Sequence, residues 1–427
     1  MSTRADVIVV GAGSSGAAVS AFLAEHGLRV ICLERRPLDR AGARWVNGVP
    51  RAAFVEAGVA LPAGDESEGE PKPFHLVAST GRALVPSHDV VDVDMRKLVA
   101  RLQDRAAAAG ADLRGEVSVR GRDDDRVDTT AGPMHARWIV DASGLSGARL
   151  LAQPAVKRLH LCAAAQETRE VTDRRAAEAF FDGHGVKTGE VLGLIGVAGG
   201  YSVLNLRLHH GGATMGILTG TIPAQGFPSG KSLLETFARE QQAWVGQTVF
   251  GGSGAIPLSR AHDRLADDRV ALIGDAGSQV FPAHGSGVGA GMIAARMLAD
   301  TLAKGGSLRD YEVAWQRRHG GTFAFFDVFR RWNQTVDSDT IGLAIGLGLV
   351  DGEALRAGID QVLPRPTVKA VLAKARALAG EPALAGSLAL TIARCAAVRS
   401  MYALYPRQPD RVAGWGRTVD WLLGERD

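Results

Sequence analysis

Seven residues into the chain an apolar run, Val7-Ile8-Val9-Val10, stops at Gly11-Ala12-Gly13-Ser14-Ser15-Gly16 and resumes as AAVSAFLAEHG. No other stretch restricts the fold as strongly. A glycine-rich turn set directly between a strand and a helix opens a βαβ unit. Gly11 permits the tight turn, Gly13 lets backbone approach a pyrophosphate, and Gly16 lets helix and strand pack closely. The helix N-terminus adds N–H donors and a positive dipole end, with Ser14 and Ser15 in the same loop. Val19, Phe22 and Leu23 share one helical face and Gly27 suits the C-cap. The following strand, RVICLE, ends on Glu34, eighteen residues beyond Gly16, where a carboxylate can bind ribose hydroxyls, with Arg35 beside it. The chain is therefore expected to bind a dinucleotide.

A second motif far downstream says which one. RVALIGD ends another apolar strand on Gly274-Asp275, and Pro282, Gly285 and Gly287 lead into a helix from about Val288. Asp275 can bind a sugar or ribityl hydroxyl. Glycines without Cβ let backbone amides press on a flat ring, and the new helix N-terminus points its positive end at charge developing there. A reduced flavin carries such charge and adenine does not, so the expected cofactor is FAD.

Three motifs in order, G-x-G-x-x-G, D-A-S-G at 141–144 and G-D-A-x-x-x-x-x-P-x-x-G-x-G at 274–287, resemble the FAD-dependent monooxygenase superfamily with the para-hydroxybenzoate hydroxylase fold. GAIPLSRAHDRLADDRVALIGDAG is most similar to its branch of geranylgeranyl reductases and flavin-dependent halogenases. The resemblance covers about residues 5–335. It implies an α/β fold: a doubly wound, Rossmann-type FAD domain (1–61, 88–154, 255–335), an inserted β-sheet substrate domain (62–87, 155–254) and a C-terminal helical region (336–427). It also adds Arg44, Val117, Asp141 and Gly144 to the expected FAD contacts.

Departures from the family bear on the reaction. RWVNGVP keeps Arg44 and Gly48 but has Asn47 where reductases of this branch often carry cysteine. YSVLNL places Tyr201, Val203, Asn205 and Leu206 where halogenases carry W-x-W-x-I-P. Lys72 reads as a solvated loop lysine and His209-His210 as a strand-end pair. His284, inside P-x-x-G-x-G, is expected at the flavin edge, where it could exchange a proton. His284, Asn47 and Tyr201 are the candidate catalytic residues.

Composition narrows the partners. With 46% hydrophobic and 22% charged residues and a net charge of +3, without basic runs beside aromatics, nucleic acid is not an expected ligand. Three scattered cysteines give no disulfide framework and no metal site, and a reducing cytoplasm fits. IGLAIGLGLV is too short to cross a membrane and ALAGSLALTIARCAAV is interrupted by Arg394, so no transmembrane segment is expected, though contact with a lipid surface stays open. The reading is an FAD-dependent oxidoreductase. An NAD(P)H-using monooxygenase acting on a hydrophobic or aromatic small molecule is favoured. The alternatives are a C=C reductase, a halogenase fed by a separate flavin reductase, and a non-catalytic flavin-fold binding protein.

Overall fold

A computed structural model describes residues 3–425. Its first sheet is built around Arg4–Val10, with Val30–Leu33 and Asp112–Arg114 on one side, Gly132–Asp141 on the other, and Val270–Leu272 beyond; these five strands run parallel. Their near-continuous apolar sequences fit strands covered on both faces. Helices Ser14–Glu25, Met95–Ala108 and Val288–Ala303 bury Phe22, Leu23, Leu98, Leu102, Met292 and Leu298 against one face. Against the other face, Ile8, Val10, Ile139 and Leu272 pack with Val127, from the antiparallel hairpin Val119–Asp123 and Arg126–Thr129, and with Met134 of strand Gly132–Asp141, which pairs with that hairpin. Val117 lies in the link between strands Asp112–Arg114 and Val119–Asp123.

The second sheet has seven strands in the order Val245–Pro257, Leu161–Val171, Thr214–Thr221, Ser202–His209, Val191–Ile195, Phe74–Val77, Arg82–Val85. Helices Arg174–Gly183 and Gly230–Glu240 cover one face, burying Leu204, Leu206, Leu208, Met215 and Ile217 under Phe181, Phe237 and Trp244. Period-two alternation turns Val203, Asn205, Arg207 and His209 to the opposite face. The sequence suggests a helix running on to Val245. It stops at Glu240, because Val245 opens a 13-residue strand.

Beyond Gly321 the chain is helical, in six helices: Gly321–Thr335, Ser338–Gly346, Gly352–Ile359, Val368–Ala377, Pro382–Ala403 and Val412–Leu422. Arg394 does not interrupt the fifth. Pro382–Ala403 is one helix of 22 residues, which by length and composition alone could cross a membrane, but its buried seam packs against the rest of the protein.

Candidate active site

Backbone geometry, more than side chains, shapes the first glycine loop. Gly11 has φ +99°, and a methyl group on it would lie 2.5 Å from the Ala142 carbonyl oxygen. On Gly16 a methyl would sit 1.8 Å from the Gly11 carbonyl oxygen, so only glycine lets the helix start this close to the strand. Gly13 also approaches Gly42, less tightly, a built Cβ lying 3.2 Å from the Gly42 Cα. Helix Ser14–Glu25 begins with no side-chain cap, leaving its first N–H groups to a ligand. Glu34 is buried at the end of its strand. One of its oxygens accepts from the Ala12 N–H at 3.1 Å and the other from the Arg36 N–H at 3.0 Å, which ties the glycine loop to the sugar end of the site.

The second motif converges on the first. Ser15 Oγ fills the space that side chains on Gly274 and Gly291 would need, since built Cβ atoms there come within 2.6 and 2.1 Å of it. The turn that carries Asp275 is held by two residues that the sequence motifs do not mark. Fully buried Gln279 accepts from the Gly274 N–H at 2.8 Å and donates to the Tyr311 hydroxyl at 3.0 Å, which in turn donates to the Leu272 carbonyl. The Asp275 backbone carbonyl accepts from the Ser278 N–H at 3.1 Å, but its carboxyl has no hydrogen-bond partner among the described residues. Asp275 is half-buried, and desolvation pushes its pKa up. An acceptor left without a donor between two glycine-shaped helix starts fits a ribityl hydroxyl. These residues fit FAD: the first loop would hold its pyrophosphate, Glu34 its ribose, and Asp275 and Gly285–Val288 the flavin half.

Several expected contacts fall elsewhere. The Asp141 carboxylate accepts from Ser143 and from the Leu150 N–H, so it shapes the 142–150 loop, where Gly144 turns at φ +83°, and has no oxygen directed at a ligand. Val117 donates its N–H to the Glu34 carbonyl at 2.9 Å, beside the ribose end. Arg35 and Arg44 are exposed, and Arg44 is bound to the Asp39 carbonyl. Pro282 is buried, Gly285 turns at φ +77° against Ile256, and Gly287 leads into helix Val288–Ala303.

A cavity of about 340 Å³ lies between this loop and the second sheet. Asn47 and His284 line it together with Trp45, Gly48 and Ser286. His284 packs on Phe281, its ring centroid 4.9 Å away, and faces the backbone of Gly358 in the C-terminal region. More than a third of its surface is open, but onto the cavity, and the surrounding protein lowers its pKa to about 4, keeping it neutral. Tyr201 is not among the lining residues. It packs with Cys162, Ile222 and Leu258 and donates to the Ala283 carbonyl at 3.2 Å, supporting the loop from behind, and burial raises its pKa.

The sheet wall changes character along its length. Strand register aligns Ala164, Gly220 and Val203 in one row, then Gln166, Leu218 and Asn205, then Thr168, Gly216 and Arg207, and finally Glu170, Thr214 and His209. The first row lies toward Tyr201 and the flavin loop; the last lies at the mouth. Gln166 Oε1, Arg207 Nε and Thr214 Oγ1, in the second, third and fourth rows, are buried without a partner, although Arg207 also pairs with Asp92. Lys72, His209 and His210 line both this cavity and an adjoining polar cleft, so they are not simple surface residues.

The architecture and the two converging glycine loops define a flavoprotein. Residues 4–61 match the FAD binding domain family, and the fold is shared with solved reductase-like and FAD-dependent halogenase proteins; with reductase-named relatives, these support an FAD-dependent oxidoreductase. Over 98% of its length the chain is 21% identical to digeranylgeranylglycerophospholipid reductase of Sulfolobus acidocaldarius, of which it covers 97%. It is 25% identical to menaquinone reductase of Mycolicibacterium smegmatis over 74% of this chain and 80% of that one. Among solved structures, a geranylgeranyl bacteriochlorophyll reductase-like protein from Thermoplasma acidophilum superposes with a TM-score of 0.71 at 17% identity, covering 91% of this chain and 99% of that one.

Proposed function

We propose that the protein reduces a carbon–carbon double bond in a largely apolar substrate that carries a polar end group. The observation behind this is the cavity wall, which runs from an apolar row beside the flavin loop through three rows that each bury an unpartnered polar atom. Similarity along the whole chain to a protein named as a lipid reductase supports the same reading over the monooxygenation favoured from sequence.

When bound, FAD supplies the hydride. NAD(P)H is the proposed source of its two electrons. The chain's own residues bind, orient and keep water out. Trp45 packs over Gly252 and Gly254, forming an apolar side beside the flavin loop, where the double bond would lie. Asn47 presents an amide where related reductases often have a thiol, and Cys32, Cys162 and Cys395 are buried, with burial pushing each thiol up to about 12, so none of them serves as a proton donor. His284, neutral and set against backbone carbonyls, positions the loop rather than acting as an acid near pH 7.

The test is to reduce the FAD-loaded protein anaerobically with dithionite, remove excess reductant, and add a polyprenyl alcohol. Flavin reoxidation without oxygen, with a product heavier by two hydrogens, is expected. Reoxidation only on admitting oxygen, with a product heavier by one oxygen atom, overturns reduction in favour of monooxygenation.

A further inference from the structure

Helix Pro382–Ala403 packs through one narrow seam: Leu384, Leu388, Thr391, Cys395, Val398 and Tyr402 are buried at alternating four- and three-residue steps. The rest of it is apolar too, and only 28% of its most apolar window is buried. Leu390 and Ile392 are 54% and 60% exposed, and Leu404 at its end 72%. The preceding helix, Val368–Ala377, buries no residue at all. Lys374 turns inward to Asp351 and the Leu349 carbonyl, which leaves Val368, Val371 and Leu372 facing outward.

Charge on this surface has one sign. Between Val362 and Leu404 the basic residues are Arg365, Lys369, Lys374, Arg376, Arg394 and Arg399, and the only acidic one is Glu381. Of the six, only Lys374 has an ion-pair partner among the described residues. Exposed aliphatic side chains interleaved with unpaired cations complement an anionic lipid leaflet, where the aliphatic groups enter the acyl boundary and the cations meet phosphates. A second copy docking by two-fold symmetry would place two such basic faces against each other. Crossing the membrane would require tearing the buried seam from Trp332 and Trp415 and burying Arg394 and Arg399.

We propose that helices Val368–Ala377 and Pro382–Ala403 form a docking face that lies in the surface of an anionic membrane. The face does not depend on which reaction the flavin performs.

Flotation of the full-length protein with phosphatidylcholine vesicles, with and without phosphatidylglycerol, tests it. Binding only to the vesicles containing phosphatidylglycerol, weakened by salt, is expected. Each basic residue near such a surface is worth about five-fold in partitioning, so K369Q/R376Q/R394Q should lower it by about a hundredfold. V368S/L372S/L390S should also release the protein, with flavin absorbance and melting temperature unchanged. No binding, equal binding to neutral vesicles, unchanged binding by either triple variant, or a dimer in sedimentation equilibrium that the apolar variant dissolves would each overturn it.

Discussion

The two sides of the cavity are built on opposite terms. On the cofactor side, backbone fills the space so completely that a methyl group on Gly11, Gly16 or Gly291 meets another atom at 2.5 Å or less. On the substrate-sheet side, polar atoms of Gln166, Arg207 and Thr214 are buried with nothing to bind. The cofactor side is complementary to one molecule and spends stability on close fit. The sheet side holds unmet hydrogen-bonding capacity, which a ligand can satisfy. Gly16→Ala is the largest expected break in this contrast. It forces the helix off the strand, should cost at least ~3 kcal/mol, and should give a colourless protein with a lowered melting temperature. Gly216→Ala, on the sheet, would meet only the His209 ring edge at 2.8 Å and should leave the preparation yellow.

Acid should loosen the cofactor side. His262 donates its backbone N–H to the Gly277 carbonyl and accepts from Gln316, bracing the turn that carries Asp275. Desolvation, helped by Arg260, lowers its imidazole from 6.5 to about 4. Its neutral form is the one that folds, so the stability it lends is complete above pH 6.5 and is lost as pH falls through about 4. After allowing for partial exposure this amounts to about 2 kcal/mol. Flavin release followed by fluorescence should begin in that window, and His262→Phe should flatten it.

Asp275→Asn separates ligand binding from stability at one carboxyl. Burial raises its folded pKa, so its ionised form opposes folding as pH rises above the ordinary carboxylate value. The apoprotein of the amide variant should therefore melt higher at pH 7, while FAD affinity falls about tenfold, or ~1.4 kcal/mol, because a charge-assisted hydrogen bond is lost. Weaker FAD binding together with a lower apoprotein melting temperature would mean that the carboxylate serves the fold.

What the sequence disclosed follows the same division. Each glycine of the two cofactor loops answers a local backbone need, so residue type and spacing within a few positions revealed the loops and the helix start at Val288, while the first helix begins at Ser14, three residues before the Ala17 read from sequence. The sheet wall is set by register between strands far apart in the chain. Nothing local says that Gln166, Leu218 and Asn205 share a row. Gly251, Gly252 and Gly254 sit inside strand Val245–Pro257, where Gly252 and Gly254 make room for Trp45. Tyr201 has the parity of the cavity face but lies one step before the strand, behind Ala283. Gln279 carried a usable signal: a lone amide in a short apolar segment just after a glycine-rich turn is a bracing residue.

The smallest expected effect tests the substrate side directly. Thr214 Oγ1 is buried without a partner in the last row of the wall, so the unliganded protein bears an unmet hydrogen-bonding cost there. Valine has the same shape without that cost. Thr214→Val should leave flavin binding unchanged and stabilise the unliganded protein by up to ~1 kcal/mol. If the row receives the polar end of the substrate, the same change raises KM several-fold with kcat little altered, because the contact is equally strong in ground and transition states. Higher stability with unchanged KM would show that the row is merely imperfect packing, and the contrast between the two sides of the cavity would then reduce to the cofactor loops alone.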